Sequence, residues 1–109
     1  MLYIEGNTIR LTRGDTAYIT VPLTTDDGVY EMHPTDTLTF SVKKNTREYN
    51  YILQKVVNGT NAFHIQPDDT AKLDFGKYTY DVQLNVNNGD VFTVIPPSMF
   101  EVLAEVTCQ

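Results

Sequence analysis

Alternation with a period of two runs through most of this chain and decides what it can fold into. Ala17, Ile19, Val21 and Leu23 alternate with Tyr18, Thr20 and Pro22. Leu38, Phe40 and Val42 alternate with Thr37, Thr39 and Ser41. Tyr78, Tyr80, Val82, Leu84 and Val86 alternate with Lys77, Thr79, Asp81, Gln83 and Asn85. Successive side chains of a strand point to opposite faces, so each run describes one buried face and one wet face. The residue types agree, since Val, Ile, Thr, Tyr and Phe suit a pleated, half-buried surface.

Turn chemistry punctuates the runs. Arg13-Gly14-Asp15 precedes the first and Asp26-Asp27-Gly28 follows it. Asn58-Gly59 and Asn88-Gly89 supply the positive φ values of tight hairpins. The spacing predicts about seven strands: Leu2–Thr12 with a break at Gly6-Asn7, Thr16–Thr24, Thr37–Lys44, Asn50–Val57, Ala62–Gln66, Lys77–Val86 and Val91–Val106. Pro96-Pro97 marks the last as an edge strand or a bulge, because proline cannot donate to a ladder. In Asn50–Val57 two parities compete, Ile52 and Val56 against Tyr51, Leu53 and Val57, and its core face stays open. Pro67–Leu73 is the one helical candidate, a single turn that Asp68 or Asp69 would cap.

With 109 residues, 1–109 form one domain with one core, large enough to need no staple. Short strands with regular turns point to an all-β sandwich, with a closed barrel as the alternative. Asp69-Thr70-Ala71 followed by Gly76-Lys77-Tyr78-Thr79-Tyr80 favours an immunoglobulin-like sandwich of antiparallel strands. In that fold a tyrosine opens strand F and its hydroxyl bonds back to the backbone just upstream. Tyr78 stands at that corner, and Tyr80 stands where antibody domains place a cysteine.

Three stretches carry a family resemblance. They are Arg13-Gly14-Asp15-Thr16 with Tyr18-Ile19-Thr20-Val21-Pro22-Leu23 and its Asp-Asp-Gly turn; Tyr30-Glu31-Met32 leading into Leu38–Lys44; and Gly76–Leu84. In order and spacing the chain resembles the immunoglobulin-like N-terminal module of phage baseplate upper proteins, and small prophage tail-associated proteins of that kind. The resemblance implies a non-catalytic structural subunit of the tail or baseplate, made in the host cytoplasm and carried in the virion. It implies contacts with other tail proteins or with further copies of itself, and it carries no catalytic or cofactor residue. Baseplate upper proteins continue into a longer C-terminal part, so a free-standing accessory or connector subunit is expected here. The alternative is a cell-surface adhesion or carbohydrate-binding module on the same fold.

Charge narrows the partners. Fourteen acidic against eight basic residues give a net charge of −6, which disfavours nucleic acid and anionic membrane. Residues 1–55 hold six basic and seven acidic side chains, and residues 56–109 hold two and seven. Lys43, Lys44, Arg47 and Lys55 gather around one hairpin, suited either to an acidic neighbour or to solvent. Tyr18 and Tyr30 are the candidate aromatic anchors, and Tyr49 and Tyr51 also lack a core assignment. A third route runs along the end of the last strand, where Phe100, Val102, Ala104 and Val106 resume an apolar parity open to another subunit.

Other motifs have plain structural readings. Arg13-Gly14-Asp15 spells an integrin-binding tripeptide but reads as a turn before a strand. Asn58-Gly59-Thr60 matches a glycosylation sequon but reads as hairpin chemistry, since Met1–Arg13 does not resemble an export signal. His33 and His64 have no ligand spacing, and Asp26-Asp27 and Asp68-Asp69 lack the ladder of a calcium loop. Cys108 has no partner for an internal disulfide. No nucleophile, histidine and acid arrangement and no phosphate-binding glycine loop is present, so neither an enzyme nor a cofactor is expected.

Overall fold

The computed structural model describes residues 2–25 and 27–106; Asp26 and Cys108 lie outside them. Ten strand segments and one helical turn follow one another: β1 (Leu2–Glu5), β2 (Thr8–Thr12), β3 (Ala17–Thr20), β4 (Thr24–Thr25), β5 (Gly28–Val29), β6 (Thr37–Lys43), β7 (Leu53–Asn58), β8 (Ala62–Ile65), α1 (Pro67–Ala71), β9 (Gly76–Asn85) and β10 (Val91–Leu103). The protein is all-β. No helix among the described residues is long and apolar enough to cross a membrane.

A six-stranded sheet has the order β1-β2-β10-β9-β6-β7, and β3-β8 and β4-β5 form two short ribbons. The expectation of about seven antiparallel strands is corrected in two ways. The first expected strand breaks at Gly6-Asn7 as anticipated, but the second, Thr16–Thr24, also breaks up, around Pro22. The pairing of β2 with β10 is parallel, Phe100 lying opposite Ile9 and Val102 opposite Leu11. A parallel partner comes from far along the chain and leaves no hairpin signal.

Burial follows the period. In β6, Leu38, Phe40 and Val42 are fully buried, while Thr37, Thr39, Ser41 and Lys43 point outward and keep partial exposure. Tyr80, Val82 and Leu84 of β9, Ile9 and Leu11 of β2, and Phe100 and Val102 of β10 continue the same buried face. Ala17 and Ile19 of β3 with Phe63 and Ile65 of β8 close over it. Phe40 joins the large sheet to the β3–β8 ribbon: its ring centroid lies 5.6 Å from Phe63, 5.1 Å from Tyr80 and 6.0 Å from Phe100. Such offset and edge-on pairs add to plain burial. The Tyr80 hydroxyl donates to the Asn7 carbonyl, and burial pushes its pKa up to about 12.

The open question on the fourth strand resolves toward Leu53. Leu53 is buried, Lys55 and Val57 are half-buried, and Val56 is exposed. Lys55 therefore faces inward on an edge strand, and its ammonium meets Asp69 of α1 at 2.8 Å. A charge on the inner parity of an edge strand discourages pairing with another sheet. Asp69 also accepts the Gln66 N–H at 2.7 Å, which starts α1 with Pro67 in its first turn.

Phe40→Ala is expected to cost about 3–5 kcal/mol, most of a small domain's stability. Urea denaturation measures it; a loss below about 1 kcal/mol would mean that β6 presents its other parity to the core.

Candidate protein-protein interface

The turn between β2 and β3 is built into the fold. The Arg13 guanidinium donates to Glu105 from Nε at 3.0 Å and from Nη2 at 2.6 Å, and Nη1 donates to the Leu73 carbonyl at 3.2 Å. Its carbon lies 4.2 Å from the centroid of the Phe75 ring. Gly14 takes φ +83°, and its N–H donates to the fully buried Thr70 Oγ1 at 2.8 Å. Arg13-Gly14-Asp15 is thus a structural corner that fastens α1, the start of β9 and the segment after β10. The hydrogen bond from Arg13 holds the Glu105 carboxyl below its ordinary pKa.

A second corner rests on Asp36, a residue that the motifs did not single out. Asp36 has no exposed surface, and its Oδ2 accepts the Tyr30 hydroxyl at 2.5 Å and the His33 N–H at 3.1 Å. The Asp36 carbonyl accepts the Gly59 N–H at 3.0 Å. Tyr30 chiefly, and the His33 backbone after it, hold the Asp36 carboxyl below its ordinary pKa against the opposing effect of burial. Gly59 takes φ +68°, and a Cβ there would stand 3.1 Å from Pro34 Cα, so the sequon position is a packed turn.

The remaining candidates scatter over the molecule. The Tyr78 hydroxyl donates to the Asp74 carbonyl at 2.8 Å, and the side chain is half-buried where full burial is expected from the sequence. Tyr18 is 69% exposed and stacks on His64 across the β3–β8 ribbon, with centroids 4.5 Å apart. Tyr30 is half-buried and tethered to Asp36. Of the basic hairpin, Lys43 lies over the Tyr51 ring and Lys55 is paired with Asp69, while Lys44 and Arg47 are exposed. Among the described residues, no three His, Cys, Asp or Glu side chains gather as metal ligands.

Phe100 and Val102 require a correction. Both are buried, at 0% and 1% exposure, because β10 runs between β2 and β9 at that end. They belong to this chain's own core and cannot serve as an edge for another subunit. The open edge lies at the opposite end of β10. There β9 flanks only one side, and among the described residues β2 reaches only Phe100–Leu103. Register shifts around Pro96-Pro97 separate the two halves.

Val86 donates to the Asp90 carbonyl at 2.9 Å, which sets the alternation along this hairpin. Phe92, opposite Leu84, then turns its backbone groups toward β9, and Val91 and Thr93 turn theirs outward. A cleft of about 600 Å³ opens beside this edge, with Leu23, Leu84, Val86, Phe92 and Val94 as its apolar wall and Tyr30 against them. Val91 and Phe92 are both more than half exposed. Outward backbone groups next to an apolar cleft are the two elements of strand addition: hydrogen bonds along the edge and pockets for alternate side chains. Only Tyr30 of the sequence-derived candidates belongs to this surface. Comparison with family models, with curated proteins and with solved structures finds no match.

Both corners depend on a carboxylate whose folded pKa is lowered. Their stabilisation is present above the unfolded carboxylate value of about 4 and is lost as pH falls through the lower folded values. The melting temperature is expected to hold steady from neutral pH down to about pH 5 and then to fall. Glu105→Gln should make that acid-side fall shallower. An unchanged acid limb would show that the Arg13 pair contributes nothing to it.

Proposed function

We propose that the chain is an immunoglobulin-like β-sandwich acting as a non-catalytic structural subunit of a phage or prophage tail or baseplate. It works through contacts with neighbouring virion proteins or with its own copies. The observation that carries the contact role is the open Val91–Ile95 edge beside the apolar cleft. The phage assignment rests on the sequence resemblance, since a fold by itself decides no function.

Strand order supports the immunoglobulin-like reading. With β3 as strand B, β6 as C, β7 as C′, β8 as E, β9 as F and β10 as G, the large sheet carries the G-F-C-C′ order of variable-type domains, and B pairs with E in the other layer. The bond from Tyr78 to Asp74 has the form of a tyrosine corner at the start of F. The strands that would flank B and E in the smaller layer have no counterpart among the described residues.

Mass spectrometry of particles purified from cells that carry this gene tests the reading. The chain should travel with the tail-bearing particles. Phe92→Ser removes an apolar wall that is half exposed, so it should leave the melting temperature unchanged and lower incorporation severalfold. A chain absent from the particles and confined to soluble extract would contradict the proposal. Full incorporation of the Phe92→Ser protein would move the contact away from the cleft.

A further inference from the structure

The period that sends Phe40 and Val82 inward sends Thr39 and Ser41 of β6 and Asp81 and Gln83 of β9 outward. The register sets Thr39 opposite Gln83, and Ser41 between Asp81 on one side and Gln54 of β7 on the other. Short hydroxyl side chains fill the central row and longer amides and a carboxylate flank it. The result is a trough of about 480 Å³ on the outer face of the sheet. Gln54 Nε2 donates to Ser41 Oγ at 3.0 Å, which orients that amide. Tyr51 also lines the trough, its ring 4.9 Å from Lys43 Nζ and half exposed. Burial in the recess pushes the Asp81 carboxyl up, and nearby Lys43 only partly opposes the shift.

We infer that this trough binds a neutral oligosaccharide. A sugar offers neighbouring hydroxyls that a carboxylate or amide can take in pairs, and a C–H face that lies on an aromatic ring. Asp81, Gln54, Gln83 and Ser41 provide the first kind of partner and Tyr51 the second. The charged lining consists of Lys43 and Asp81, which offset each other and so match an uncharged ligand. A nucleic acid or phosphorylated ligand would call for a cluster of cations. An added peptide strand would call for an open edge and apolar pockets, which these outward side chains do not offer. The inference does not depend on the assembly role, which uses the β10 edge.

Titration of the ¹⁵N-labelled chain with cellotriose, maltotriose and the trimer of N-acetylglucosamine tests it, with sialyllactose as the charged control. At least one neutral trisaccharide at millimolar concentration should shift amides in 39–43, 51–54 and 79–83. Tyr51→Ala and Asp81→Asn should each weaken that binding at least about tenfold, with melting temperatures unchanged. Absence of binding by all three neutral sugars would overturn the inference. So would shifts that map elsewhere, binding of the charged sugar alone, or variants that bind like the parent.

Discussion

Phe40 stands where the large sheet meets the β3–β8 ribbon, and the fold depends on its parity. Its ring touches Phe63 from the β3–β8 ribbon and Tyr80 and Phe100 from the large sheet. A slip of one residue in β6 would send Leu38, Phe40 and Val42 to solvent and bring Thr39 and Ser41 inside. The core would then lose its largest contacts and gain hydroxyls without partners. The outer trough depends on the same constraint, because its polar row is the other half of the same alternation.

Two polar corners, one part-buried at Arg13 and Glu105 and one around the buried Asp36, tie loops to the sheet. Arg13 binds Glu105, Leu73 and Phe75, which ties together the turn after β2, the chain after β10 and the approach to β9. Asp36 takes the Tyr30 hydroxyl and the His33 N–H while its backbone engages Gly59. Taking a carboxylate out of water is expensive unless donors surround it. Glu105 meets that condition through Arg13, whereas Asp36 meets it at one oxygen: Oδ2 takes both donors, and the buried Oδ1 has no hydrogen-bond partner among the described residues.

The inward faces of β6 and β9 were readable because Leu38, Phe40, Val42, Tyr80, Val82 and Leu84 alternate cleanly with polar residues. The hairpin turn at Gly59 was readable from Asn-Gly chemistry, and the tie between Tyr78 and the backbone upstream from the corner motif. The fate of β10 was not. Phe100 and Val102 have the same alternation whether their neighbour is β2 or another subunit, and parallel pairing with a strand some ninety residues earlier leaves no local mark. Asp36 did leave a signal. It sits one step before Leu38 on the inward parity, and a carboxylate there requires donors. Lys55 hid in the same way, as an inward charge whose partner on α1 is set by tertiary packing.

Strand β10 is divided into an interior half at Phe100–Leu103 and an open half at Val91–Ile95. Amide hydrogen exchange of the isolated protein, resolved residue by residue, tests this most directly. Phe100 and Val102 should exchange slowly, on the scale of global unfolding, and Val91 and Thr93, whose N–H groups face outward, should exchange fast. Strong protection of Val91 and Thr93 in the monomer would contradict it, because that edge would already be covered by the chain itself.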